Sequence, residues 1–284
     1  MRIIEKISEM QNISNEMRKS YKTIAVVPTM GYLHEGHCSL IRLAKETADF
    51  CITTLFVNPT QFAPNEDFEK YPRDFERDFN LAKTNGSDFL FNPSVEEMYP
   101  SGFSSEIKIK GITEKFEGKF RPLHFNGVAT VVAKLFNATL PDFAIFGQKD
   151  YQQTLVIKQL VKDFNFPVSI VVAPTIREHD GLAMSSRNVY LSTTDRNKAT
   201  ILYKALNNVK EAIKKGTRKK EEIDDILKDT LLSLPEIQID YASSALADSL
   251  NEPDYFESGQ KIVLLLACKL GKTRLIDNMV ITID

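Results

Sequence analysis

Residues 23–58 read TIAVVPTMGYLHEGHCSLIRLAKETADFCITTLFVN, and this stretch decides the fold class. It opens with TIAVVPTM, an apolar run typical of a strand. From Leu40 to Ala48 the apolar residues recur at helical spacing, and FCITTLFVN is a second apolar, β-branched run without polar alternation. A strand, a helix and a second buried strand in succession predict a βαβ unit with parallel strands.

The same alternation continues along the chain. DFLFNP, PDFAIFG and SIVVAPTI predict strands, and helices are predicted over residues 3–19, over residues 67–85, in VATVVAKLFNAT and in QQTLVIKQLVKDF. After about residue 190 come two charged amphipathic helices, roughly 193–215 and 219–233, and then three alternating strands. We therefore expect an α/β protein, with a Rossmann-like doubly wound parallel sheet in residues 1–180 and a smaller α+β domain in residues 181–284.

Composition excludes several classes of protein. The 36 basic and 38 acidic residues provide no surplus for a polyanion, so no nucleic-acid partner is predicted. Three cysteines without CxxC spacing argue against a disulfide framework and against a structural zinc site. The longest apolar run, residues 262–268, is too short to span a bilayer, and the opening residues lack a secretory-signal pattern. We expect a cytoplasmic protein without a membrane partner.

The turn between the first strand and its helix reads PTMGYLHEGH, residues 28–37. His34 and His37 are three residues apart in the first helical turn, where backbone N–H groups and the helix dipole attract anions. Gly31 and Gly36 would let the backbone approach a ligand such as a triphosphate. The plainer alternative is that one or both histidines are ordinary polar residues at a helix start. Zinc is less favoured because HExxH spacing is absent.

Two further polar segments follow predicted strands. NPTQF, residues 58–62, places Asn58 and Gln61 at the carboxyl edge of the sheet, where both amides could bind hydroxyls or carboxylates. In GQKDYQQ, residues 147–153, Lys149 could offset phosphate charge, and Gln152 or Gln153 could reach a small polar substrate. Each segment taken alone could be a solvated loop.

A fourth segment, DGLAMSSRN at residues 180–188, places Ser185, Ser186 and Arg187 in series, which suits a pyrophosphate leaving group. Neither GxGxxG nor a P-loop is present, so phosphate would be bound in another way. Cys38, next to His37, is expected to be a packed small hydrophobe rather than a nucleophile. Four polar segments at the carboxyl ends of predicted parallel strands together predict one ligand site.

Taken together, these segments resemble the pantothenate synthetase (pantoate–β-alanine ligase) family, within the nucleotidyltransferases related to class I tRNA synthetases. PTMGYLHEGH is similar to the family's HIGH box and MSSRN to its counterpart of KMSKS. FVNPTQF, EDFEKYPRDFERD, RPLHFNGVATVVAKLFN and FGQKDYQQ follow the family's order and spacing, so the resemblance covers about residues 20–195. The C-terminal module fits only by length and pattern.

The resemblance implies an ATP-dependent ligase that condenses pantoate with β-alanine through a pantoyl adenylate, on the way to coenzyme A. It also implies Mg²⁺ with ATP, no organic prosthetic group, a homodimer, and a C-terminal domain that acts as a lid. Two alternatives stay open, another adenylyl- or cytidylyltransferase of the same fold and a noncatalytic ATP-sensing module. A tRNA synthetase is disfavoured by the near-neutral charge and the short C-terminal module.

The resemblance also implies roles for individual residues. ATP would be bound by Met30, Gly31, Tyr32, Leu33, His34, Glu35, Gly36, His37, Gly147, Gln148, Lys149, Asp150, Ile176, Met184, Ser185, Ser186 and Arg187. Pantoate would be bound by Pro28, Met30, Gln61 and Gln153, and β-alanine by Asn58 and Gln61. The catalytic group would be His34, His37, Lys149 and Arg187, with Asp78 as the contact for magnesium. His37 would either donate a proton or, like His34, only stabilise charge. Asn126 and Gln148 depart from the family's arginine and glutamate, which leaves Arg121 and Lys149 as the positive charge.

Overall fold

A computed structural model describes residues 1–64, 66 and 68–284. The strands are β1 (Arg2–Ile4), β2 (Ile24–Thr29), β3 (Phe50–Leu55), β4 (Phe89–Phe91), β5 (Phe143–Gly147), β6 (Ser169–Ala173), β7 (Gln238–Leu246), β8 (Lys261–Leu270) and β9 (Thr273–Thr282). The α-helices are α1 (Ile7–Lys19), α2 (Glu35–Thr47), α3 (Phe75–Thr84), α4 (Val95–Met98), α5 (Phe116–Phe120), α6 (His124–Thr139), α7 (Tyr151–Asp163), α8 (Thr193–Lys198), α9 (Ile201–Lys214) and α10 (Lys220–Leu232). Among the helices of these described ranges, none is long and apolar enough to cross a membrane.

The first six strands form one parallel sheet in the order β1-β4-β3-β2-β5-β6. Strand β2 lies at the centre and pairs with β3 on one side and with β5 on the other. The strand order therefore reverses between β2 and β5, and open α/β sheets bind their ligands at the carboxyl ends of the strands beside such a reversal.

Side chains of β2 alternate between two hydrophobic clusters. Ile24 and Val26 pack with residues of α1, α6 and α7, whereas Ala25 and Val27 pack with residues of α2 and α3. Helices thus cover both faces of the sheet, which explains why its strands are continuously apolar. The predicted α/β class with a doubly wound parallel sheet is confirmed.

The opening segment differs from the predicted helix over residues 3–19. Residues Arg2–Ile4 form a strand that pairs with Phe89–Phe91, and the helix begins only at Ile7. The carbonyl of Ile4 accepts the N–H of Asn92 at 2.8 Å. Two consecutive isoleucines favour a strand once a partner strand is available, and the helical spacing could not show that this partner exists.

The helix predicted over residues 67–85 begins later, at Phe75. Its predicted first residue, Asp67, lies outside the described residues. Pro72 disfavours a helical conformation in the residue before it, and the carboxylate of Asp74 caps the helix by accepting the N–H of Arg77 at 3.1 Å. The proline and this capping carboxylate set the start.

The C-terminal strands form a separate antiparallel sheet in the order β7-β8-β9, on which α9 and α10 pack their apolar side chains. The α+β module is confirmed. Its first predicted helix, residues 193–215, is divided into α8 and α9. Just before α9, the hydroxyl of Thr200 donates to the carbonyl of Asn197 at 2.9 Å, a local bond that competes with helical pairing.

The chain divides into two compact units. The first contains Met1–Glu114, Arg121–Gln148 and Gln152–Pro174, and the second contains Lys115–Phe120, Lys149–Tyr151 and Thr175–Asp284. Two short segments that lie between parts of the first unit in the sequence thus belong to the second unit. The chain leaves the first unit for the last time between Pro174 and Thr175. The sequence predicts this boundary slightly later, between residues 180 and 181.

Candidate active site

The two histidines form a reciprocal cap at the start of α2. Nδ1 of His34 accepts the backbone N–H of Gly36 at 3.1 Å, and the backbone N–H of His34 donates to Nδ1 of His37 at 3.2 Å. The ring centroids are 4.1 Å apart. Because each Nδ1 is an acceptor, each neutral imidazole carries its hydrogen on Nε2. The cap therefore gives both rings an Nε2–H donor, which suits hydrogen bonding to an anion.

The loop before this cap is held by Asp78 of α3. The side chain of Asp78 is buried, with Oδ2 accepting the N–H of Tyr32 and Oδ1 accepting the N–H of Leu33, each at 2.7 Å. Gly31 has φ +92°, and a Cβ there would lie 3.0 Å from Oδ2 of Asp78 and 2.9 Å from a methyl group of Leu55. A larger residue at position 31 would therefore push the carboxylate away from the loop.

Asp78, which is also the predicted contact for magnesium, is partly occupied by these contacts, and its role toward the metal stays a prediction. Burial raises the pKa of its carboxyl, the two backbone hydrogen bonds lower it, and the net shift is upward. No group of three or more His, Cys, Asp or Glu side chains placed to hold a metal ion occurs among the residues that the structure describes. Both oxygens of Asp78 accept backbone N–H groups, so the carboxylate is suited to hold the loop in place.

Three residues predicted to bind the two substrates lie together at the ends of β2 and β3. The amide of Asn58 donates to Oε1 of Gln61 at 3.2 Å and to the carbonyl of Gly127 at 3.1 Å. The amide of Gln61 donates to Sδ of Met30 at 2.9 Å. Asn58 and Gln61 are both buried. Tyr99, which the sequence did not single out, donates its hydroxyl to Oδ1 of Asn58 at 2.7 Å.

The positive charge of Arg121 is already paired. Its guanidinium donates two hydrogen bonds to the carboxylate of Glu66, at 2.7 and 2.6 Å, and one to the backbone carbonyl of Gln61 at 3.3 Å. Burial would raise the pKa of Glu66, but the hydrogen bonds and charge of Arg121 outweigh burial and lower it. Nδ1 of His124 lies 3.1 Å from the same Gln61 carbonyl. RPLHFNG thus supplies a scaffold around Gln61, and neither Glu66 nor His124 carried a sequence signal of its own.

The structure distinguishes between the two candidate glutamines that follow β5. Gln152 is buried and its amide donates to the carbonyl of Ile112 at 2.7 Å, as expected of a structural residue. Gln153 is only partly buried. Gln153 stays the predicted pantoate contact.

Asn126, where the family's arginine was expected, donates to the carboxylate of Glu106 at 3.1 Å.

In the second unit, hydrogen bonds to backbone groups hold the predicted ATP contacts Ile176 and residues 184–187. The carbonyl of Ile176 accepts the N–H of Met184 at 3.0 Å, which folds residues 176–184 back on themselves. The hydroxyl of Ser185 accepts the N–H of Arg187 at 3.3 Å and caps the short helix Ser186–Tyr190. This bond holds the backbone where Ser185, Ser186 and Arg187 enter the short helix.

Lys149 of the second unit is placed by β9. The amide of Asn278 donates to the carbonyl of Lys149 at 2.8 Å, and the neighbouring Asp277 forms a buried ion pair with Arg177 at 2.7 Å. Arg177 also lies over the ring of Tyr203, 4.3 Å from its centroid. Asn278, Asp277 and Arg177 had no motif to mark them, because β9 contacts these segments only in the folded chain.

The remaining predicted residues occupy unremarkable positions. Pro28 lies within β2 opposite Thr54, and Gly147 ends β5 opposite Ala173. A one-turn helix, Gln148–Asp150, follows directly and places a carboxylate oxygen of Asp150 3.7 Å from Nζ of Lys149. The carboxylate of Glu35 pairs with Arg42.

Comparisons with known proteins show the family of this chain. The family model described as pantoate-beta-alanine ligase matches residues 2–280. A pantothenate synthetase from Caldicellulosiruptor bescii is 52% identical over 281 residues, covering 99% of each chain. The crystal structure of pantothenate synthetase from Thermus thermophilus has a TM-score of 0.92 at 42% identity and covers 98% of this chain and 99% of its own.

A third relative carries ligands in its description. The structure of pantoate-beta-alanine ligase from Francisella tularensis, complexed with beta-gamma ATP and beta-alanine, has a TM-score of 0.81 at 38% identity, covering 99% of this chain and 97% of its own. The family model, the curated relative and the solved structures all span nearly the whole chain. This chain belongs to the pantoate–β-alanine ligase family.

Proposed function

We propose that this chain joins pantoate to β-alanine at the expense of ATP, in two steps at the residues described above. A carboxylate oxygen of pantoate attacks the α-phosphorus of ATP, the bond to the bridging oxygen breaks, and pyrophosphate leaves. The amine of β-alanine then attacks the acyl carbon of pantoyl adenylate, the bond from that carbon to the phosphate oxygen breaks, AMP leaves, and the nitrogen gives up a proton. Both steps depend on alignment and charge stabilisation.

The reciprocal cap of His34 and His37 is the observation that carries the proposal. It combines the positive end of α2 with two imidazoles that each carry Nε2–H. Negative charge builds on the phosphate oxygens as the carboxylate attacks, and donors fixed in advance stabilise that charge without reorganising. We assign His37 as proton donor and His34 as its companion at the phosphates, with Lys149 and Arg187 as further positive charge.

Three side-chain amides follow the histidines in the sequence. We assign Gln61 to pantoate and β-alanine, Asn58 to β-alanine, and Gln153 to pantoate. The support is that the amides of Asn58 and Gln61 are oriented by Gly127 and Met30, so their orientation is fixed before a ligand arrives. The relative from Francisella tularensis is described as a complex with beta-gamma ATP and beta-alanine, which matches two of the three proposed substrates.

Three further assignments are the metal and the homodimer, which rest on the family, and the location, which rests on the sequence pattern. We propose that Mg²⁺ enters with ATP, bound through phosphate oxygens and water, as is common for this ion. We propose a cytoplasmic location. We also propose a homodimer, which light scattering after size exclusion would measure.

The activity is tested by following pyrophosphate and AMP with each substrate omitted in turn. We expect pyrophosphate release from ATP only when pantoate is present, and AMP release to be much faster when β-alanine is added. ATP cleavage that does not depend on pantoate would indicate a different transferase. A complete absence of turnover with all three substrates would favour the noncatalytic ATP sensor.

The role of the histidines is tested by the variant His37→Ala. Loss of one preorganised donor and proton source should lower the rate of pyrophosphate release about 10²-fold or more while the melting temperature stays close to that of the parent. Glu46→Gln is the matched control, because Glu46 is an exposed residue of the same helix. Unchanged turnover in His37→Ala would remove His37 from the mechanism.

A further inference from the structure

We propose that Asp78 is a positioning residue for adenylate formation, acting on the histidine pair through the backbone of residues 31–33. This inference rests on the proposed function of His34 and His37. It gives α3 a part in the reaction, although no atom of Asp78 has to touch a substrate.

The carboxylate of Asp78 and the loop before α2 are complementary. The two oxygens of Asp78 accept the N–H groups of two consecutive residues, Tyr32 and Leu33, each at 2.7 Å. The residue as a whole is 1% exposed. Consecutive N–H groups that converge in this way form a small anion-binding concavity, and here an internal carboxylate occupies it. The loop is thus held by a charge-assisted pair of hydrogen bonds.

This pair of hydrogen bonds holds a stretch of backbone with an unusual conformation. Gly31 and Tyr32 both lie in the left-handed region, with φ +92° and +51°. For tyrosine this conformation is uncommon and persists only where the surroundings enforce it. The guanidinium of Arg77 lies 4.9 Å from the centroid of the Tyr32 ring and covers it. Residues 77 and 78 of one helix therefore hold both the side chain and the backbone of Tyr32.

The loop leads directly into the two imidazoles. Leu33 is followed directly by His34, whose backbone N–H donates to Nδ1 of His37 at 3.2 Å. A change in the orientation of residues 32–33 rotates that N–H away from its acceptor. Nδ1 of His37 would then lose the bond that places its hydrogen on Nε2. The contacts thus run from Asp78 through two backbone amides to the tautomer of His37.

The test compares Asp78→Asn with Glu76→Gln. Asparagine has nearly the same shape, but its NH₂ group cannot accept one of the two backbone N–H groups. Glu76 lies in the first turn of the same helix and is exposed, so its variant removes the same charge without touching the loop. We expect Asp78→Asn to slow pantoate-dependent pyrophosphate release about 10²-fold, since a small misplacement of reacting groups has that effect. The KM for β-alanine should be unchanged, and Glu76→Gln should match the parent.

Two further measurements separate positioning from folding and from metal binding. Release of AMP from supplied pantoyl adenylate and β-alanine should survive in Asp78→Asn, whereas an unfolded variant would lose it. Nitrogen NMR of labelled histidine, with His37→Ala to assign the signal, should show Nε2–H in the parent and mixed tautomers in Asp78→Asn. If extra Mg²⁺ restored the rate, Asp78 would be a metal contact and the inference would be overturned.

A second variant guards against failure of the first to fold. In Gly31→Ala the added Cβ pushes against Oδ2 of Asp78 while every hydrogen-bonding group remains. It should show the same selective loss of adenylate formation and the same change of tautomer. A normal rate or an unchanged His37 tautomer in either folded variant would overturn the inference. Full activity of His37→Ala would instead overturn the proposed role of the histidines.

Discussion

Gly127 decides how closely α6 approaches the segment that carries Gln61. A Cβ at this position would lie 2.4 Å from the carbonyl oxygen of Thr60 and 2.6 Å from the Cα of Gln61. Both are backbone atoms, so neither can turn aside as a flexible side chain would. The missing side chain lets the amide of Asn58 reach the Gly127 carbonyl. A glycine in a helix interior ordinarily weakens the helix. Here it allows the contacts that hold the side-chain amides of Asn58 and Gln61.

We predict that Gly127→Ala destabilises the protein by roughly 1–3 kcal/mol, the usual cost of overpacking, although alanine is the better helix former. The displaced segment should also raise the KM for pantoate. Denaturant unfolding and steady-state kinetics measure the two effects. Asn137→Ala is the control, since Asn137 is an exposed residue of the same helix. A variant as stable as the parent, with an unchanged KM, would contradict the close approach.

At the scale of single residues, local spacing was enough to find the histidine pair. HxxH after a strand predicts two imidazoles in one helical turn, and the cap at His34 has that form. The partners of Asp78 could not be predicted in the same way. Its hydrogen bonds join residues 45 and 46 positions apart, and no local pattern records which backbone amides a distant carboxylate will meet.

At the scale of elements, a buried ionic cluster attaches the short helix α5 to the C-terminal sheet. Arg274 of β9 donates two hydrogen bonds to Glu117 of α5, at 2.7 and 2.8 Å, and one to Asp240 of β7 at 2.7 Å. Tyr241 donates its hydroxyl to Glu117 at 3.0 Å. Burial, together with the charge of Glu117, holds the pKa of Tyr241 well above its ordinary value. One guanidinium thus serves two carboxylates from two elements.

Replacing that guanidinium should be costly. We predict that Arg274→Met lowers the free energy of unfolding by about 3–5 kcal/mol, because two largely buried carboxylates lose their cation. Lys272→Met removes a neighbouring exposed positive charge and should have little effect. Denaturant unfolding compares the two variants. If they were equally stable, the cluster would not support α5, whereas partial recovery in the double variant Arg274→Met with Glu117→Gln would support its pairing.

Elements with strong periodicity were predicted well, and short ones were not. The strands β2 and β3 and the helix between them follow from the apolar pattern of residues 23–58. Strand β1 has three residues and is defined by its pairing with β4, so its own sequence could not distinguish a strand from the first turn of a helix. The start of α3 depends on a capping carboxylate, a finer signal than periodicity.

At the scale of the whole molecule, the three cysteines are buried thiols. Burial raises the pKa of Cys38, and burial together with nearby carboxylates raises the pKa of Cys51 and of Cys268 to about 12. The thiolate is the reactive form, so all three should be inert near neutral pH. This agrees with the prediction that Cys38, although next to His37, is a packing residue.

We therefore predict that the native protein reacts very slowly with a thiol reagent such as DTNB at pH 8, whereas unfolding in guanidinium exposes all three thiols. Absorbance of the released chromophore counts the reacting groups. Cys38→Ala should leave the slow native reaction unchanged. Rapid labelling of one thiol in the native protein would show that its site is open or that its pKa is not raised.

The composition of the second unit is the part of the architecture that the sequence could not predict. Alternating patterns place residues 115–120 and 149–151 among the strands and helices of the parallel-sheet region. The partners that bind them into the second unit, Arg274 for Glu117 and Asn278 for Lys149, lie far away in the sequence. Periodicity reports which side of an element is apolar, and it contains no information on such pairings.

This interleaving has a consequence during synthesis on the ribosome. The central strands β2 and β3 can pair as soon as they emerge, but Glu117 and Lys149 must wait for β9 before they can meet Arg274 and Asn278. Until β9 appears, Glu117, which is buried in the finished protein, can meet Tyr241 of β7 but lacks the guanidinium of Arg274. The ionic cluster around α5 is therefore incomplete until the last strand appears, and a ribosome that stalls before β9 releases a product that lacks the cation of that cluster.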